Sequence, residues 1–400
     1  MSLNCVPPHV PAERVRPFPW YGWKDETGDP ALRVSKELEH LKIFYAPSGE
    51  RNPYGAWVLT RYEDMQKVLT DTTHFTSNHI AGWNNLVGLD ELLIPIELDP
   101  PTLQRYRAFM APFFARSQLQ AMQPLMRDGA RRAIQAIAKK SPLDVAPLGY
   151  KMTSGAWCAL MGIDYDEVDP YIEHLWGMLH QYDFGVRFAT AQRLLNAARK
   201  IYEANRGTPR PGMFNAFVNG LIDGRRPTDS ECTGFILFQL MAGLDTMGTT
   251  AVWALRHLAD CPDDQGRLRD DPSLISGFIE EVFRRYAILA TNRFVTKDYV
   301  IDGVTLKPGD NVLLPAAMAC MDATHFSCPA VFRIGRKERH LAFGAGAHFC
   351  IGAPMARAQL PIFLEEWLRL IPTFRRQAGE PLSAHTGDLT GLDSLPLEWS

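Results

Sequence analysis

The sequence predicts a mainly helical protein with a smaller β-rich region. Helical patterning runs through residues 119–221 with only short breaks. A long segment over 232–258 is apolar on nearly all sides, as expected of a helix that crosses a core. Strand and turn signals are few and gather late, around 299–314.

Taken in order, residues 1–30 read as an extended arm with Pro7, Pro8, Pro11, Pro17 and Pro19. Residues 32–41 read as a short helix, 57–60 as a strand and 62–70 as a helix. Residues 76–98 lack periodicity but carry apolar side chains, which suits a loop that covers something. Asp99-Pro100-Pro101 is expected to open a helix, with Asp99 as its cap and the prolines in its first turn. Gly162-Ile163-Asp164, Asp183-Phe184-Gly185 and Gly207-Thr208-Pro209 interrupt the helical region. Thr228-Asp229-Ser230-Glu231 has the spacing of a capping box and starts the long apolar helix. A further helix spans about 274–287. Its apolar face is Leu274, Ile275, Phe278, Ile279, Val282, Phe283 and Tyr286. Arg293 stands at the start of a strand, a hairpin turns at Asp302-Gly303, and residues 316–340 read as irregular. The last helix runs from Gly352 to about 370, with Pro361 expected to kink it.

The 400 residues are 46% hydrophobic and carry a net charge of -3. Such a balance gives no basic surface for nucleic acid or anionic lipid. Seven scattered cysteines do not make a disulfide framework and suit a reducing cytoplasm. The first 16 residues hold no apolar run fit for a signal or anchor, so a soluble chain is expected. Nothing demands an obligate assembly, and a monomer is expected.

Three constellations carry chemistry. The first is Phe343-Gly344-Ala345-Gly346-Ala347-His348-Phe349-Cys350-Ile351-Gly352. Glycines let backbone approach a flat partner. A cysteine beside a helix start meets free N–H groups that favour its thiolate, a strong iron ligand. The second is Ala242-Gly243-Leu244-Asp245-Thr246, inside the long apolar helix. A buried acid and hydroxyl there are costly unless satisfied. The threonine can bond a carbonyl one turn back and open the helix locally. The third is Glu281-x-x-Arg284, with Pro329, Phe332 and Arg336 later in the chain.

These motifs, in this order, resemble the cytochrome P-450 superfamily of haem-thiolate monooxygenases over nearly the whole chain. The opening Pro-Pro-His-Val-Pro at 7–11, Gly243-Leu244-Asp245-Thr246 and the ending Leu-Pro-Leu-Glu-Trp at 395–399 look most like its soluble bacterial camphor-hydroxylase branch. The resemblance implies a single domain over 1–400, with haem b between the long helix and the cysteine loop. It implies Cys350 as axial ligand and O2 as co-substrate. Arg107, Arg293 and His348 would hold the propionates, beside Phe343, Gly344 and Gly352 of the loop. Asp245 and Thr246 would manage protons, while Glu281, Arg284 and Arg336 would form a structural network under the haem.

The sequence departs from the family at two places that bear on the site. Leu103 replaces a histidine that often helps bind a propionate. Glu91 stands where the camphor hydroxylase has a tyrosine for the camphor ketone, which puts camphor in doubt. A reshaped pocket of Glu91, Leu93, Phe238, Met241, Gly243, Ile288 and Leu289 would suit a small terpenoid or an ionone-like norisoprenoid. The only GxG, at Gly344 and Gly346, does not follow a βαβ pattern, so electrons are expected from an external ferredoxin with its reductase. Arg107, Arg336, Lys337 and Arg357 would supply its docking charge. The Asp245–Thr246 pair argues against a peroxide-driven peroxygenase and against a non-catalytic haem gas sensor or binding protein. Cys328, His340, His348 and Cys350 lack the paired spacing of a zinc site.

Overall fold

The computed structural model describes residues 6–18, 24–25, 28–38, 40–47, 55–78, 92–181 and 183–400, with nothing said of the side chains of residues 24, 25 and 184. Helices dominate, and among the described residues four small sheets lie around them. The long apolar segment forms the centre. It runs as an α-helix over Asp229–Leu240, one π-helical turn over Met241–Asp245, and an α-helix again over Thr246–Asp260. By length and composition it could cross a membrane, but it is largely buried as a core helix. Thr228 and Glu231 close a reciprocal capping box at its start. The π turn has an identifiable cause: Thr246 Oγ1 donates to the Ala242 carbonyl at 2.7 Å, a bond that competes with the helix ladder.

The final helix, Ala353–Leu370, packs against Arg116–Gln135 and crosses near the central helix. Pro361 lies inside it without ending it. Gln359, on this helix, donates to the Thr153 carbonyl. The largest sheet has five strands in the order Ile43–Ala46, Ala56–Leu59, Asn311–Pro315, Ala290–Val295 and Phe75–Thr76. The hairpin of Tyr299–Ile301 and Val304–Leu306 turns at Asp302 and Gly303, both at positive φ, as a tight two-residue turn requires. A sheet of Lys24–Asp25, Ser383–His385 and Gly391–Ser394 brings the C-terminal region beside the centre of the molecule.

Several expectations need correction. Asp99 does not cap the following helix, Thr102–Met110, whose N-cap is Pro101 with no side-chain bond. Its carboxylate instead accepts from Thr76 Oγ1 and from the Ser77 N–H at 2.8 Å, tying that helix to the sheet. Arg293 sits in the middle of its strand, not at the start, because pairing with Asn311–Pro315 begins at Ala290. The stretch 316–340 holds a short helix, Ala316–Cys320, whose small buried residues carry no periodic signal. Within the loop 76–98, residues 79–91 lie outside the described residues, and Glu91 with them.

Candidate haem and substrate site

A cavity lies between the central helix and the cysteine loop. Cys350 and the loop residues Phe343, Gly344, His348 and Gly352 line one side. Ala242 and Gly243 of the π turn, with Thr246 just after it, line the opposite side. Cys350 is surrounded by protein, and its open surface is the cavity wall. The loop depends on its glycines. Gly346 has φ 68°, and a Cβ there would come within 2.7 Å of the Leu69 carbonyl oxygen. The Cys350 N–H donates to the Phe343 carbonyl at 2.9 Å, which closes the loop.

Burial pushes the Cys350 thiol up. The Gly352 and Ala353 N–H groups, then Arg107 and Arg357, work the other way without prevailing. The N–H groups at the helix start favour the thiolate as expected, but they do not decide the balance. Desolvation in an apolar cavity outweighs the two amide donors. A cation at the sulfur, such as a bound iron, supplies the missing charge.

One end of the cavity is cationic. Arg293 is buried, and its guanidinium bonds only the Asn292 carbonyl at 2.7 Å and, weakly, Thr291 Oγ1 at 3.5 Å. Burial pushes it down to about 10, against a pull from Asp99. Arg107 Nη2 donates to the Phe349 carbonyl at 2.9 Å. His348 is pushed down to about 4, by burial first and then by Arg293 and Arg107. Its Nε2 is buried without a partner. Neither arginine has an ion pair among the described residues, and a buried unpaired cation is costly. Orphaned donors at one end and a thiol on one face are what a flat dianionic macrocycle would satisfy, so these residues fit haem.

The remaining wall is mostly apolar, with Gln239 and Thr250 among its few polar groups. Phe238, Gly243, Ile288 and Leu289 line it, with Trp157 and Ile96. Gly243 is required by its neighbour, since a Cβ would collide with the Trp157 indole. Two expected pocket residues do not line the cavity. Leu93 is buried in the helical core that backs the wall, its N–H bonded to Glu97 Oε2 at 2.8 Å. Met241 packs against that same core, while the neighbouring Ala242 and Gly243 line the cavity. Leu103 lines the cavity, where it offers no polar contact.

Asp245 is fully buried and does not line the cavity, whereas Thr246 does. Asp245 Oδ1 lies 2.7 Å from His180 Nε2. The sequence reading missed His180 altogether, because its position follows only from packing of Asp169–Leu179 against the π turn.

Glu281, Arg284 and Arg336 meet beneath the loop. Glu281 accepts from Arg284 at 2.7 and 2.9 Å, from Arg336 Nε at 3.2 Å and from the Arg333 N–H at 3.0 Å. Arg284 also donates to the carbonyls of Cys320 and Pro329, and Arg336 to those of Ser327 and Val331.

A family model described as "Cytochrome P450" matches residues 183–377. The chain is 32% identical, over all of its length and 98% of the relative's, to "Probable cytochrome P450 127A1" of Sinorhizobium fredii. The chain belongs to the cytochrome P450 family. It is thus a haem-thiolate monooxygenase that uses O2. Among further P450 relatives, "Cytochrome P450-SU2" of Streptomyces griseolus is 26% identical over 98% of this chain and 96% of its own. The solved structure of CYP101J2 is similar over 99% of this chain and 100% of that one, at 26% identity and TM-score 0.85. The solved structure of CYP101C1 shares the fold with a TM-score of 0.86 at 24% identity.

Proposed function

We propose that this P450 hydroxylates a small, mostly hydrocarbon terpenoid or ionone-like norisoprenoid at an unactivated C–H bond. The observation that carries the reading is the cavity itself: Cys350 on one side, Thr246 on the other, and apolar walls of Phe238, Ile288, Leu289 and Trp157. A pocket with few polar groups orients its ligand by shape, and a hydrocarbon loses no hydrogen bond on entering.

In this reading Cys350 ligates the iron, and Arg293, Arg107 and His348 hold the propionates. Phe343, Gly344 and Gly352 pack around the thiolate. Bound haem supplies the oxygen-activating chemistry. The protein's part is to exclude water with the apolar wall and to hold the Thr246 hydroxyl there, its proton given to the Ala242 carbonyl and its Oγ1 left to accept a hydrogen bond in the cavity. Asp245 stands next in the chain as the acid behind it. Glu281, Arg284 and Arg336 keep the loop's underside rigid. The chain works as one domain in the cytoplasm, as a monomer.

Electrons come from a ferredoxin and its reductase, docking on the face over Cys350. Two of the four cations expected there are not available. Arg336 is buried against Glu281, and Arg107 faces the cavity. The exposed Lys337 remains, with Arg357, which is half shared with Glu280 at 2.6 Å and lies over the Phe343 ring. Docking by so few charges weakens with salt. A reduction rate that does not fall as ionic strength rises excludes electrostatic docking there.

Absorption titration of the haem-loaded protein with β-ionone and with camphor tests the substrate. The reading predicts a low- to high-spin shift with β-ionone, altered in affinity by Phe238→Ala. No shift with β-ionone, or an equal one with camphor, contradicts it.

A further inference from the structure

The face of Asp245 turned away from the cavity meets a line of titratable groups. His180 Nε2 lies 2.7 Å from Asp245 Oδ1, and His180 Nδ1 lies 2.9 Å from His385 Nε2. His385 Nδ1 lies 2.7 Å from Asp393 Oδ1, and Asp393 Oδ2 accepts from Ser383 Oγ at 2.7 Å. Side-chain exposure rises along this line, from 0% at Asp245 and 1% at His180 to 5% at His385 and 23% at Asp393. Only the last group reaches water. Asp245 Oδ2 has no partner among the described residues.

The two rings are held for this contact. Trp176 stacks on His180 with centroids 4.5 Å apart and planes 15° from parallel. Tyr150 OH lies 3.0 Å from His180 Nε2 and 3.2 Å from Thr249 Oγ1, which fixes the Nε2 edge of the ring. Gly391 makes room where the rings meet. A Cβ there would fall 2.8 Å from His385 Cε1 and 3.2 Å from His180 Cε1. Any larger residue would push the imidazoles apart.

We propose that His180, His385 and Asp393 form the relay that carries protons from solvent to Asp245, with Gly391 as the residue that permits the ring-to-ring contact. An imidazole can accept a proton on one nitrogen while releasing one from the other, so two in series conduct without holding charge. In one passage the His180 Nε2–H bond breaks as an O–H bond forms on Asp245. The His385 Nε2–H proton moves to His180 Nδ1, and a proton that the Asp393 carboxylate takes from solvent moves on to His385 Nδ1, leaving Asp393 a carboxylate again. One proton enters, both rings stay neutral, and no electron moves. The rings return to their first tautomer before the next passage. Burial pushes the His385 imidazole below its usual range, which favours the neutral ring that such a passage needs.

The relay rests on Asp245 acting as the proton donor behind Thr246, and the test separates the two. Holoenzyme labelled with 15N-histidine is held in the diamagnetic ferrous–CO form, and the His180 and His385 signals are followed. Asp393→Asn is expected to shift both rings, Asp393→Glu to restore them, and Gly391→Ala to uncouple them. NADH-driven β-ionone turnover with a [2Fe–2S] ferredoxin–reductase pair should slow about tenfold in D393N and G391A and carry a larger solvent deuterium isotope effect. That loss sits below the full contribution of a positioned proton donor. If D393N moves His385 alone and leaves His180 and the isotope effect unchanged, the relay is wrong. If Asp245→Asn slows turnover while D393N and G391A do not, Asp245 draws its protons elsewhere. If D245N is also silent, both the relay and the donor role fall.

Discussion

Glu281→Gln would leave the buried Arg284 guanidinium without an anion and Arg336 with only the partly exposed Glu338 at 3.3 Å. Glu281, Arg284 and Arg336 have side-chain exposures of only 1–3%, so water cannot screen the loss. Three charge-assisted bonds and the Arg333 N–H converge on this carboxylate. Removing one partner of a buried ion pair costs about 3–5 kcal/mol, most of it the penalty on the stranded charge. Unfolding entropy scales with length, at roughly 0.8 kcal/mol/K for a chain of this size. The thermal midpoint should therefore fall by about 4–6 °C, read from loss of the haem absorption band on heating. Glu280, on the same helix, gives an internal control. It pairs with Arg357 and His340, but its side chain is 39% exposed. Glu280→Gln should cost less than about 1 kcal/mol. Equal midpoints for E281Q and E280Q would refute the reasoning, because burial would then not decide the cost.

Arg293→Leu removes a buried cation that pairs with no carboxylate among the described residues. Haem transfer to a scavenging apoprotein should speed up roughly tenfold to hundredfold, the value of one hydrogen bond to a charged group. Thr246→Ala removes the hydroxyl on the cavity wall, and product formed per NADH consumed should fall about tenfold or more, with the remainder appearing as peroxide. Burial acts to raise the Glu366 carboxyl, but Arg131, Arg127 and Arg369 outweigh it and hold it down to about 2. A depressed carboxyl stabilises the fold fully above its unfolded value near 4.5, and that stability is lost as pH falls toward 2. Thermal midpoints measured across that window should drop in the wild type and drop less in Glu366→Gln.

The helical class, the central helix and its break at Thr246 were legible because each rests on local chemistry. Apolar patterning, a capping box and one hydroxyl bond suffice. The Cys350 loop was legible because its glycines and cysteine sit within ten residues. Contacts between distant segments were not. His180, His385 and Asp393 are separated by up to 213 positions, and each alone reads as an ordinary polar residue. The pocket was only partly legible for a related reason. Leu93 is apolar, but only the packing of distant segments shows that it lies away from the cavity, and Met241 falls beside the stripe of Gln239, Ala242, Thr246 and Thr250 that forms the wall.

The claim on which the account depends is that Cys350 thiolate holds the haem iron in this cavity. The ferrous–CO spectrum tests it directly, comparing the wild type with Cys350→Ser. The account predicts the red-shifted CO band of a thiolate-ligated haem in the wild type and its loss in C350S. A band that survives unchanged in C350S would place the iron ligand elsewhere and contradict the assignment.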